Sequence, residues 1–180
     1  MASISVNGRL FDEYVSAQKI AQCVKKVADR INSDYAGKSP LFICVLNGAF
    51  MYASDLFKQI TLPAEITFVR LKSYEGTIST GDVQILTPLT TKVEGRDVIV
   101  VEDIVDTGLT MHGFIKYLED AGANSVEITS FLFKPEALRH ADAAPKYVGM
   151  SIPTKFVLGY GLDYDEQGRN LPSLYVLSGN

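Results

Sequence analysis

The sequence predicts an α/β fold with a mostly parallel, twisted sheet flanked by helices. Two observations support this class. Apolar runs of strand length alternate along the chain with segments whose apolar residues recur at helical spacing. Several of the predicted strands are apolar at consecutive positions, which is typical of strands that helices cover on both faces. The chain ends, mainly residues about 134–180 with the N-terminal segment, are expected to form a small hood over one edge of the sheet.

The first half of the chain begins this alternation. Apolar residues recur at helical spacing over 20–31, and Ser16 is a suitable N-cap for that helix. The run at 41–46 is too short for a buried helix and predicts a buried strand. A second helix is expected over 50–60 and a second strand over 64–72.

A long polar stretch at 73–82 then separates these elements from the second half and reads as an exposed loop. Strands are predicted at 83–87 and 97–102, and a helix at 111–121. The remaining strand-like segments are 125–133, 146–151, 155–158 and 174–178.

Length and composition limit the kinds of protein that this chain can be. At 180 residues it is most simply one domain, residues 1–180. Its net charge of −4 argues against broad nucleic-acid binding, which needs a basic face. No apolar run approaches the ~20 residues of a membrane span, and the N-terminus is unlike a signal peptide. Cys23 and Cys44 are expected to be reduced core thiols, which suits a cytoplasmic protein.

The segment VIVVEDIVDTGLT at 98–110 carries the clearest chemical signal. A strand runs into Glu102 and Asp103, and a short turn leads into the next helix. The start of a helix offers unpaired N–H groups to a phosphate, Gly108 permits close approach, and Thr107 and Thr110 add hydroxyl donors. Neither the Walker A pattern nor GxGxxG is present.

The two acids would repel a phosphate, so they need another partner. Adjacent carboxylates suit the hydroxyls of a ribose, which donate to them, and Mg²⁺, which prefers oxygen ligands. Each feature alone is better explained by solvated acids before a capped helix. Together, within one short segment, they favour a phosphorylated ribose.

The same segment resembles the phosphoribosyl diphosphate (PRPP) motif of the type I phosphoribosyltransferases. The resemblance implies that Glu102 and Asp103 hold the ribose hydroxyls. The 5′-phosphate would be wrapped by Asp106, Thr107, Gly108, Leu109 and Thr110. Asp106 would also act as the general acid/base at N7 of the acceptor base. The competing interpretation is that Asp106 only caps the following helix.

From about residue 40 to the C-terminus the chain resembles the purine salvage branch of that family, the hypoxanthine-guanine phosphoribosyltransferases. Leu46, Asn47 and Gly48 occupy the place of the loop that binds diphosphate, where the family often has a non-proline cis peptide. Many members carry a basic residue in place of Asn47. Arg169, which would also reach the diphosphate, helps to offset this neutral residue.

The polar loop beginning at Ser73 and Tyr74 resembles the family's catalytic flap. Such a lid closes over the site and excludes water from a centre that gains oxocarbenium character. Ser73 and Tyr74 would then contact the diphosphate. The alternative is an ordinary surface loop.

The acceptor base is indicated by residues further along the chain. In the family the residue that matches Lys134 donates to the purine O6, and the one that matches Phe156 stacks on the ring. Backbone groups of Val157 and Asp163 would read the far edge. An ammonium only donates, so Lys134 favours a 6-oxo group over the 6-amino group of adenine. Taken singly, Lys134 could be a solvated strand-end lysine and Phe156 a core aromatic.

The resemblance therefore implies an Mg²⁺-dependent transferase that converts PRPP and hypoxanthine or guanine into IMP or GMP plus diphosphate. The metal would be held by Glu102, Asp103 and Asp163, largely through water and substrate. Relatives form dimers and tetramers, so a homodimer or homotetramer is expected. Two alternatives stay open: a PRPP-sensing regulator on the same fold, and a transferase that prefers xanthine. His112 and His140 have no place in this scheme and are expected at the surface.

Overall fold

The computed structural model describes residues 3–73 and 83–179. Within these residues an N-terminal hairpin precedes three α-helices, and each helix is followed by one or more strands. In chain order the elements are β1 Ser3–Val6, β2 Arg9–Val15, α1 Ala17–Asp34, β3 Leu41–Leu46, α2 Phe50–Phe57, β4 Glu65–Ser73, β5 Val83–Ile85, β6 Asp97–Val105, α3 Leu109–Asp120, β7 Ser125–Phe133, β8 Tyr147–Ser151, β9 Val157–Leu158 and β10 Leu174–Leu177.

The larger sheet has six strands in the order β5-β4-β3-β6-β7-β8. Its pairings are parallel except at the β5 edge, where β5 runs antiparallel to β4. The chain moves outward from β3 to β4 and then returns to place β6 on the other side of β3. This reversal between β3 and β6 is a switch point, and ligands of open α/β sheets bind beside the carboxyl ends of the strands there. The predicted fold class is confirmed.

Helices cover both faces of this sheet, as the apolar strands predict. In β3, Phe42 and Cys44 pack with α1 and α2 in one core cluster. Their neighbours Leu41 and Ile43 pack with α3 in a second cluster on the opposite face. Because successive side chains of a strand point to opposite faces, such a strand must be apolar at every position.

The hood is a four-stranded antiparallel sheet in the order β1-β2-β10-β9. Its two N-terminal strands are joined at Asn7 and Gly8, both with positive φ (46° and 74°). An Asn-Gly pair is the preferred centre of a tight hairpin turn, so a local signal for this hairpin is present but the strand predictions omit it. A small apolar cluster that includes Phe11 and Leu158 holds the layer together.

The hood boundary predicted at about residue 134 needs correction, because β8 pairs in parallel with β7 and belongs to the larger sheet. The buried Tyr147 anchors β8 to α1, where its hydroxyl donates to Asp34 at 2.8 Å. Strand β6 is also longer than the predicted 97–102. It continues to Val105 because Ile104 and Val105 pair with β7.

Two smaller predictions are confirmed, namely the cap of α1 and the buried thiols. The Ser16 hydroxyl accepts a hydrogen bond from the Lys19 N–H at 3.4 Å, which caps α1. Cys23 and Cys44 are buried, free thiols. In the described part of the chain, none of the helices combines the length and the apolar character that crossing a membrane requires.

Candidate active site

The paired acids Glu102 and Asp103 lie near the carboxyl end of β6, at the switch point of the sheet. Glu102 is buried, and its Oε1 accepts a hydrogen bond from the Asp103 N–H at 3.0 Å. Asp103 Oδ1 accepts from the Ile104 N–H at 2.9 Å. Burial raises the pKa of the Glu102 carboxyl well above its ordinary value, and the adjacent Asp103 charge raises it further. A buried acid of this kind gains stability when a hydroxyl or a cation approaches it.

Residues 106–108 form the loop between β6 and α3, and residues 109–110 begin the helix. Gly108 adopts the left-handed conformation (φ 81°) immediately before the helix. The Thr107 hydroxyl accepts a hydrogen bond from the Leu109 N–H at 3.4 Å. A Cβ on Gly108 would lie 2.9 Å from the Cβ of Ala143, so both the conformation and the close packing require glycine. A cavity of about 270 Å³ lies over this loop and is lined by the whole loop together with Glu102. The start of α3 therefore faces a space that could take a phosphate.

The segment expected to bind diphosphate follows β3 and lies beside the acids. The peptide bond between Leu46 and Asn47 is cis. Gly48 packs so closely against Asp103 that a Cβ on Gly48 would overlap the Asp103 carboxylate. A Cβ on Gly161 of the hood would likewise overlap the Gly48 carbonyl oxygen. Two glycines thus let the β3 end, the β6 end and the hood approach one another.

A second cavity, of about 200 Å³, lies between the end of β6 and the hood. This cavity is lined by all four residues that the sequence assigns to the purine base, namely Lys134, Phe156, Val157 and Asp163. Asp103 and Asp106 also line it. The Phe156 ring is 52% exposed and packs at its edge against Tyr164. A half-exposed aromatic ring at the wall of a cavity offers a surface on which a flat base could stack.

Lys134 and Asp106 form an ion pair inside this cavity. The Lys134 Nζ donates to Asp106 Oδ2 at 2.9 Å, and the lysine side chain is only 12% exposed. Lys134 comes directly after β7, and its backbone N–H donates to the Val105 carbonyl. The sheet pairing of β6 with β7 therefore brings together two residues that are far apart in the sequence.

Arg169 is held by groups of the hood rather than directed into either cavity. Its guanidinium contacts Asp163 Oδ1 at 2.8 Å and Glu166 Oε2 at 3.3 Å, and it donates to the Gly161 carbonyl at 3.0 Å. It lines a separate cavity of about 670 Å³ between the hood and the start of α2.

Ser73 and Tyr74, which are expected at the site, lie at the edge of the described residues and just beyond it. Ser73 is the last residue of β4, and Tyr74 lies outside the described residues. Their assignment to a flap stays a prediction.

The sequence interpretation also omitted residues that line the site. Ile104 borders both cavities, although in the motif it counts only as a spacer between the acids. Lys155 and Leu162 line the second cavity. Lys155 is adjacent to Phe156 in the sequence, which is the one local signal that could have indicated it.

The Phosphoribosyl transferase domain family matches residues 11–165 of this chain. Together with the fold, this match places the chain among the phosphoribosyltransferases. The chain is 42% identical over 163 residues to the hypoxanthine-guanine phosphoribosyltransferase of Streptococcus thermophilus, with 90% of each chain covered. It is 41% identical over 164 residues to the Bacillus subtilis protein of the same name, with 91% of each covered.

Solved structures agree with these relatives. A crystal structure of a hypoxanthine phosphoribosyltransferase from Staphylococcus aureus superimposes with a TM-score of 0.87 at 40% identity, covering 92% of this chain and 90% of that one. The chain belongs to the hypoxanthine-guanine phosphoribosyltransferase family.

Proposed function

We propose that this protein transfers the phosphoribosyl group of PRPP to hypoxanthine or guanine, and releases diphosphate. The relatives from Streptococcus thermophilus and Bacillus subtilis carry the name of this activity. The observation that carries the proposal is the pair of adjoining cavities, one over the loop before α3 and one beside Lys134 and Phe156, which share Ile104 and Asp106. A ribose phosphate in the first and a base in the second would meet at Asp106, where the new bond must form.

On the donor side, Glu102 and Asp103 would accept hydrogen bonds from the ribose hydroxyls. The N–H groups at the start of α3 would donate to the 5′-phosphate, assisted by Thr107 and Thr110. The buried Glu102, whose pKa is raised, retains a proton to higher pH than an exposed glutamate. Donor hydroxyls or a cation would favour its charged form, so binding should release a proton.

On the acceptor side, the ion pair between Lys134 and Asp106 has to open. A 6-oxo group near Lys134 Nζ would replace Asp106 Oδ2 as the acceptor of its hydrogen bond. The Asp106 carboxylate is then free to exchange a proton with N7 as N9 attacks C1 of the ribose. Binding of a 6-oxopurine would in this way release the general base. A 6-amino group presents a second donor to Lys134 and cannot replace Asp106 as its acceptor, so the ion pair would stay closed.

The residues at the site fit Mg²⁺, because Glu102, Asp103 and Asp163 offer only oxygen ligands. These carboxylates would hold the ion largely through water and substrate, and when bound it would neutralise charge on the diphosphate. Asp163 is paired with Arg169 at 2.8 Å, so release of that arginine toward the diphosphate would free Asp163 for this role.

We further infer a cytoplasmic location and a homodimer or homotetramer. Light scattering would measure the oligomeric state.

The decisive experiment measures nucleotide formation from PRPP and Mg²⁺ with hypoxanthine, guanine, xanthine and adenine in turn. Turnover of hypoxanthine or guanine, with adenine inert, is the expected result. A preference for xanthine would overturn the assignment of the acceptor. Absence of turnover with every base, together with measurable PRPP binding, would favour a PRPP-sensing regulator instead.

A variant tests the role of Asp106 separately. Asp106→Asn should lower kcat by about 100-fold or more, the usual contribution of general acid–base catalysis, with little change in PRPP affinity. Asp120→Asn, an exposed carboxylate at the far end of α3, is the matched control and should behave as wild type. The structure does not support a helix-cap role, because Gly108 is the N-cap of α3 and the Asp106 carboxylate pairs with Lys134. Full activity of Asp106→Asn would leave this residue only that ion pair.

A further inference from the structure

Both histidines of the chain, His112 and His140, lie outside the proposed reaction, and the structure brings them together. Their rings stack with centroids 4.6 Å apart and planes 25° from parallel. Asp142 completes the group, with its Oδ2 2.6 Å from His112 Nδ1. One ligand atom from each of the three residues can be chosen so that all lie within 4.8 Å of one another. In this His-His-Asp cluster the two imidazoles are partly buried and Asp142 is exposed.

The backbone holds the three residues in place before any ligand arrives. His112 is at the end of the first turn of α3, where its N–H donates to the Gly108 carbonyl at 2.8 Å. His140 and Asp142 lie on either side of Ala141 in a single 3₁₀ turn. The next residue, Ala143, is fully buried against Gly108 and fixes this turn to the start of the helix.

We propose that His112, His140 and Asp142 form a binding site for a divalent transition-metal ion of the Zn²⁺ class. Two imidazole nitrogens and one carboxylate oxygen, with water in the fourth position, are a common tetrahedral ligand set for zinc. Ligand atoms about 2.0–2.2 Å from a tetrahedral ion are separated by roughly 3.3 Å. The ion would take the place of the proton between His112 and Asp142. The His112 Nδ1 and Asp142 Oδ2 atoms would then move apart by roughly 0.7 Å, and His140 would turn toward the ion by a side-chain rotation.

The chemistry of the ligands separates this site from the magnesium carboxylates of the active site. Mg²⁺ prefers an all-oxygen octahedral shell, whereas imidazole suits zinc, copper and nickel.

The location gives such an ion a structural consequence. The Arg139 N–H donates to the Thr107 carbonyl at 2.9 Å, and the carbonyl of His140 and the side chain of Leu138 lie against Gly108. Residues 138–143 thus form the back wall of the loop before α3. A metal that joins His112 to His140 would brace this wall against the helix.

Equilibrium titration of Zn²⁺ into tag-free, chelator-stripped protein tests the proposal, with excess Mg²⁺ present to occupy the active-site carboxylates. One Zn²⁺ per chain should bind, and His112→Gln and His140→Gln should each weaken binding by at least about tenfold. Because the chain has no other histidine and both cysteines are buried, a loss in either variant locates the ion. Asp120→Asn should bind as wild type does. Equal binding by wild type and the double histidine variant would overturn the proposal.

A second measurement needs no variant. Co²⁺ is a spectroscopic substitute for Zn²⁺, and a four-coordinate site containing two imidazoles gives visible absorption far stronger than that of the hydrated ion. Appearance of these bands, and their disappearance when Zn²⁺ is added, supports the site. A spectrum that stays that of hydrated Co²⁺ at saturating protein overturns it.

Discussion

Replacing Lys134 by methionine tests the link between the base cavity and the choice of acceptor. The variant keeps the apolar stem and removes the ammonium, which is the only part that can donate to a 6-oxo group. A hydrogen bond from a charged donor contributes about 1.5–3 kcal/mol. In the free protein, however, Nζ is already bonded to Asp106 at 2.9 Å.

The net effect follows from the difference between these two interactions. The Asp106 side chain is 44% exposed, so solvent screens the pair and opening it costs roughly 0.5–1 kcal/mol. Lys134 should then contribute about 1–2 kcal/mol net to binding of a 6-oxopurine transition state, so Lys134→Met should lower kcat/KM by roughly 5- to 30-fold. The free energy of unfolding should change by less than about 1 kcal/mol.

Steady-state kinetics with hypoxanthine, guanine and adenine, together with urea denaturation, measure both quantities. Lys146→Met is the matched control, because Lys146 forms an ion pair of the same 2.9 Å length with Glu127. It should affect stability in a similar way and leave kcat/KM unchanged. If Lys134→Met keeps wild-type kcat/KM for both 6-oxo bases, the reasoning that assigns Lys134 to the acceptor is refuted.

Three further predictions address burial and packing. Glu102→Gln should flatten the pH dependence of stability. Between the ordinary and the raised pKa of Glu102 the folded protein binds more protons than the unfolded chain, so the wild-type free energy of unfolding falls by up to about 1.4 kcal/mol per pH unit as pH rises. Urea denaturation at a series of pH values measures this slope, and equal slopes for wild type and variant would contradict the prediction. Gly161→Ala should lower the free energy of unfolding by about 1–3 kcal/mol through its φ of 101°, and it should also displace Gly48 and lower activity. Gly37→Ala is the control, because Gly37 has a φ of 78° but no atom close to the added Cβ. In thermal and activity assays it should show only the backbone cost and full activity. Cys44, whose thiol pKa burial raises to about 12, should resist alkylation at pH 8 until the protein is denatured, and equal labelling of both states by mass spectrometry would disprove its burial.

Local patterns account for the parts that the sequence predicts well. Helix α1, its Ser16 cap and the apolar strands β3 and β6 follow from spacing and side-chain chemistry within a few residues. The loop before α3 is predicted for the same reason, since strand, glycine and helix start are contiguous. The hairpin at Asn7 is equally local, but its signal is the Asn-Gly turn and not apolar periodicity, so a pattern of apolar residues does not indicate it.

What the sequence by itself determined is the order of elements and the PRPP-type motif at 98–110, because both are written in consecutive residues. Only the tertiary structure decided which distant residues meet. The Lys134–Asp106 ion pair depends on the pairing of β6 with β7, and the cluster of His112 with His140 depends on packing of a 3₁₀ turn against α3. Side chains on separate elements have no spacing rule in sequence, since their distance is set by sheet order and by close packing.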